Sequence, residues 1–164
     1  MVVTARGWSF WRAEAPLKDH NRFRLERLTQ RYAQRIGAAE APDEAEFLRA
    51  FAEVQARVLR PAMEEIGAEL CRAGHAAHVV LDEGPEKPSI ELVLGLRGAR
   101  ASRNRVGFSV IRWDGYPLQI LAYLEVNPPK FDLERFEKAA ELGEDRVEQM
   151  LVDAVEHILS CNAP

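Results

Sequence analysis

Cysteine is scarce in this chain, acid is missing from one stretch of it, and long apolar runs do not occur. The two cysteines, Cys71 and Cys161, lie far apart and outside any C-x-x-C spacing. That usage excludes a disulfide framework, suits a reducing, cytoplasmic compartment, and predicts two buried or inert thiols. Apolar runs are broken by charge well short of the roughly 20 residues that span a bilayer. Met1 to Phe10 lacks the apolar core of a signal peptide, so no membrane partner is expected. Nucleotide and nucleophile fingerprints are absent too: no G-x-x-x-x-G-K, no G-x-G-x-x-G after a strand, no G-x-S-x-G. His75 and His78 would fall on opposite faces where a helix gives way to a strand, so neither they nor His157 announce a metal site. The helical carboxylates Glu64, Glu65, Glu69, Glu134, Glu137 and Glu141 have the spacing of solvated faces. No catalytic residue, cofactor or metal is therefore assigned, and no named chemistry supports an enzyme.

What is present describes a globular domain. With 47% hydrophobic and 29% charged residues over 164 positions, the chain is long enough for one core and too rich in apolar residues for disorder. Charge is segregated. Residues 1–36 carry eight basic and three acidic groups, residues 97–112 five arginines and no acid, and the net charge is nevertheless −4. Basic segments either lie against acidic ones within the fold or present a cationic surface outward.

The first 15 residues read as an extended arm, with Trp8, Phe10 and Trp11 crowded into four positions. Three wet aromatic rings are costly, so the arm should dock on its own domain or on a second subunit. A helix follows from Pro16. Leu25, Leu28, Tyr32 and Ile36 form its apolar stripe, Arg24, Arg27, Arg31 and Arg35 run beside it, and Gly37 closes it. Asp43 and Glu46 form a capping box for a second helix with Phe47, Phe51, Val54 and Val58 inward. Pro61 should kink or restart it, and Gly74 should end it. A short connection makes an antiparallel hairpin of the two helical arms the economical arrangement.

Four alternating segments then read as strands, centred on Val79, Leu92, Phe108 and Ile120. The last two are joined through Asp114 and Gly115. A two-residue turn there would pair Phe108 with Leu121 and mix polar and apolar residues on both faces. A bulged three-residue loop with Gly115 left-handed pairs Phe108 with Ile120 and Val110 with Leu118, which gathers Val106, Phe108, Val110, Ile120 and Ala122 on one side. The other side then carries Ile111, Leu121 and Tyr123, a mixed face that is either covered or an interface. After Asn127-Pro128-Pro129, residues 131–142 read as a helix with Leu133 and Phe136 inward. A final helix follows with Val147, Leu151, Val155 and Ile158 on one side.

The expected architecture is a single α+β domain over 1–164 in the order ααββββαα: an N-terminal helical hairpin, a four-stranded antiparallel meander and C-terminal helices in two layers. Two functional readings from different classes follow. The leading one is a non-enzymatic protein-interaction or adaptor module, homodimeric, with Trp8, Phe10, Trp11, Ile111, Leu121 and Tyr123 as interface candidates. The alternative is a nucleic-acid or phosphate binder. It would work through Arg97, Arg100, Arg103 and Arg105 in a stretch of small residues free of acid, as anion-seeking loops are.

Overall fold

A computed structural model describes residues 18–37, 44–99, 103–113 and 115–163. The chain falls into two compact units, residues 1–39 and 40–164. In the first, α1 spans Asp19–Gly37. Phe23, Leu25, Leu28 and Tyr32 are exposed along it, as are Arg24, Arg27 and Arg31.

The second unit opens with one long helical run. It comprises α2 (Glu44–Val54), a π-helical turn (Gln55–Leu59) and α3 (Arg60–Arg72). The π turn sits immediately before Pro61. Proline cannot donate to the carbonyl one turn back, and the helix absorbs the misfit by looping one residue wider. The amide of Arg60 accordingly donates to the Gln55 carbonyl. Phe47, Phe51, Leu59 and Met63 are buried along this run. Gly74, at φ +91°, ends it in the left-handed conformation that a Cβ would oppose.

The sheet is an antiparallel meander of five strands in the order β1-β2-β3-β4-β5: Ala76–Asp82, Ser89–Gly95, Asn104–Ile111, Gln119–Val126 and Lys130–Phe136. The fifth strand corrects the four-stranded ααββββαα expectation. The segment expected to be helical is β5, followed by a short 3-10 turn (Ala139–Glu141) and then α4 (Glu144–Asn162). The reason is legible afterwards. Lys130-Phe131-Asp132-Leu133-Glu134 alternates polar and apolar with period two, and the Leu133/Phe136 spacing that suggested a helix is equally met across a bulge. That irregularity lies in the β4–β5 ladder at Ala122/Tyr123. Asn127, at φ 51°, turns the chain back, and the Val126 amide donates to the Pro129 carbonyl.

The β3–β4 register corrects a second expectation. Phe108 pairs with Ala122 and Val110 with Ile120, two residues along from the bulged register and with the same side chains facing the core. In that expected register Pro117 would stand in the ladder opposite Ile111, where it has no N–H to give. Shifting by two ends the ladder at Ile111–Gln119 and moves Pro117 into the loop. Gly115 is left-handed there, at φ +79°.

One sheet face is the core: Ile90, Leu92, Val106, Phe108, Ile120 and Ala122 are completely or almost completely buried. Two helices of this unit lie on that face, α3 against β1 and β2, α4 against β3 and β4. From α4, Val147, Leu151, Val155 and Ile158 point inward as their spacing predicts. The cysteines depart from expectation, since both are exposed on helices. Among the described residues, no helix is long and apolar enough to cross a membrane.

Candidate functional site

Two packed helices lie about 8–10 Å apart and roof about 20 Å of sheet. Strands repeat every 4.7–4.9 Å or so, so a helix pair covers about four of them. With α3 over β1–β2 and α4 over β3–β4, β5 overhangs. On this edge strand Phe131 is 45% and Leu133 40% exposed. Between β5 and α4 runs an open groove of about 740 Å³. Leu124, Phe131, Leu133, Met150 and Ala154 supply its apolar lining. The rim is polar. Arg146 of α4 forms an ion pair with Glu134 of β5 and stacks 4.9 Å from the Phe136 ring centre. Gln149 donates to Asp153 at 2.7 Å, and His157 Nε2 lies 3.5 Å from Cys161 Sγ. The groove thus has an apolar floor and a polar, partly charged rim.

The sheet face opposite the helices is built differently. Tyr123 lies across Gly107: a Cβ added at Gly107 would meet the Tyr123 Cζ and hydroxyl oxygen at 2.7 Å and Glu91 Cγ at 2.9 Å. The phenol donates to Glu91, and the Lys130 ammonium sits 3.9 Å from the centre of the ring. Arg105 bridges two carboxylates, donating from Nε to Glu125 at 2.5 Å and from Nη1 to Glu91 at 3.1 Å. Burial, reinforced by the bond to Glu91, pushes the Tyr123 phenol far above its usual value. The hydrogen bond to Glu125, strengthened by the charges of both carboxylates, holds the Arg105 guanidinium more firmly protonated. This network is a closed polar lid on the sheet, with each charge answered by a neighbour.

The candidate residues from the sequence disperse. Tyr123 is only 3% exposed, while Ile111 and Leu121 are half-buried on the same face. Arg97 is exposed, its amide bonded to His75 Nδ1 at 3.1 Å. Arg103 is exposed just before β3, and Arg105 is occupied by its two glutamates. Trp8, Phe10, Trp11 and Arg100 lie outside the described residues, as does Asp43. The groove residues were not singled out from the sequence, because reading 131–142 as a helix placed Leu133 inward. The period-two alternation from Lys130 to Glu134 was the signal for an exposed strand. Among the described residues, no cluster of three metal-ligating side chains occurs.

Comparison of the chain with protein-family models, with curated proteins and with solved structures finds no match in any of the three.

Proposed function

We propose that the chain is a non-enzymatic protein-interaction module that self-associates through β5 and the groove behind it. The observation that carries this reading is the overhang: two large apolar side chains on an edge strand, unroofed beside an apolar groove. Edge strands offer unpaired backbone groups to another chain, and exposed apolar patches gain by being covered. Covering the exposed parts of Phe131 and Leu133 is worth about 1 kcal/mol each, half the value for a fully exposed side chain. The ionisable groups that cluster on the opposite face are paired with one another, so that face has less to gain from a partner than the groove.

Light scattering on the eluting chain, across a concentration series, tests the proposal. The mass should approach twice the 18.5 kDa of one chain and fall to that of one chain in Leu133→Glu with unchanged circular dichroism. A wild-type chain that stays monomeric at high concentration would refute it. A second reading, phosphate or nucleic-acid binding by the 97–105 loop, draws support from the exposure of Arg97 and Arg103. It predicts co-purifying material absorbing at 260 nm that salt removes.

A further inference from the structure

A second groove lies between α3 and α4, away from β5, with a volume of about 410 Å³. Val58, Pro61, Ala62, Ile66 and Val152 line it, and Val152 is 44% exposed. Its two walls carry carboxylates: Glu65 and Glu69 on α3, Glu144 and Glu148 on α4. Each pair has i,i+4 spacing, an arrangement that repels along its own helix and costs a few tenths of a kcal/mol. Glu69 is paired with Arg72, whereas Glu65, Glu144 and Glu148 have no ion-pair partner among the described residues. The one basic residue on the lining, Arg57, is directed to Glu53 at 3.1 Å.

We propose that this groove docks a basic amphipathic helix of a partner protein, laid along the trough where α3 and α4 meet. The shape argues for a helix, because the trough between two packed helices receives the side-chain ridge of a third. At about 1.5 Å per residue the wall from Arg57 in the π turn to Glu69 of α3 is about 18 Å long, room for about twelve residues or three turns. The chemistry argues for the charge. An occupant with apolar residues at i, i+3, i+4 and i+7 fills the floor, and arginine or lysine on both flanks meets a carboxylate pair on each wall. Repulsion within each wall then becomes attraction across the interface. This goes beyond the self-association reading and rests on different residues, so the two stand or fall separately.

The test is fluorescence anisotropy of a labelled, designed twenty-residue helix with a leucine ridge and arginines on both flanks, titrated with the full chain. Saturable binding is expected, weakened at least about ten-fold by Glu65→Lys/Glu148→Lys and by raising salt from 50 to 300 mM, since several charge pairs on a water-accessible rim are screened together. A peptide of the same composition with its ridge scrambled should bind at least about ten-fold more weakly. Leu133→Glu should leave the affinity unchanged, which separates this groove from the one beside β5. No binding, equal binding of the scrambled peptide, or unchanged affinity in a folded Glu65→Lys/Glu148→Lys chain would each overturn the proposal.

Discussion

Replacing Gly107 with alanine puts a methyl group in place of a hydrogen, and the structure says where the carbon goes. It arrives 2.7 Å from the Tyr123 ring and hydroxyl, closer than carbon atoms tolerate. The neighbouring backbone is fixed by ladders to Glu91 on one side and Tyr123 on the other, so the ring must move. Overpacking of this kind costs about 1–3 kcal/mol. Moving the ring also breaks the phenol's bond to Glu91, and a hydrogen bond to a charged group is worth about 1.5–3 kcal/mol. Glu91, which accepts the phenol's bond, keeps some contact with water, which softens that loss, and we expect a total of about 3 kcal/mol, near the lower end of the sum. For a chain of this size that lowers the melting temperature by about 9 °C, at roughly 3 °C per kcal/mol. Thermal and urea unfolding would measure it. The sharper assay is the double-mutant cycle with Tyr123→Ala. Once the ring is gone the next atom the added methyl meets is Cγ of the flexible Glu91 side chain, and alanine improves on glycine in a strand by about 0.5–1 kcal/mol. Gly107→Ala should then be neutral or stabilising, giving a coupling of at least about 2 kcal/mol. A Gly107→Ala chain that melts within about 2 °C of wild type, or that loses equally with and without the ring, would refute the reasoning.

Three further outcomes follow from the same structure. The folded state holds the Tyr123 phenol protonated to higher pH than the unfolded chain does. Its contribution is therefore complete below about pH 10 and lost as pH rises above that value, at about 1.4 kcal/mol per pH unit; Tyr123→Phe should flatten this slope in urea unfolding between pH 9 and 11. Both thiols should react with a maleimide in native buffer, since Cys71 and Cys161 are exposed, and intact mass spectrometry should count two adducts. Phe51, wholly buried beneath the helical run, should cost about 3–5 kcal/mol when cut to alanine; a smaller loss in urea unfolding would mean that this part of the core collapses readily around the gap.

Within residues 40–164 the helices and the first four strands could be read from the chain because each turns one side to the same core, and burial on one side writes a period into the sequence. Phe47 and Phe51, Ile90 and Leu92, Val147 and Leu151 are such positions, and all are buried. β5 wrote a weaker record. It is exposed on nearly every residue, so nothing forces its apolar positions onto one side, and Leu133 with Phe136 imitates a helical pair. The register of β3 with β4 was displaced for a similar reason: face parity constrains pairing only modulo two, and Pro117 decided between the remaining choices. The groove beside β5 depends on that missed strand and on how far two helices can reach, a matter of widths in space that no residue spacing encodes. The Tyr123–Glu91–Arg105–Glu125 network joins three strands, and a contact of that kind becomes visible only once register is known. Glu65 and Glu69 have the spacing of a solvated face; the feature that changes their meaning is a second helix bringing Glu144 and Glu148 to the same groove.

The central claim is that β5 is a contact strand. Hydrogen–deuterium exchange of the full chain, followed at low and at high protein concentration, addresses it without any substitution. The account predicts that amides of residues 130–136 become protected as concentration rises while those of β1, the opposite edge, do not change. Exchange in β5 that is fast and indifferent to concentration would contradict it.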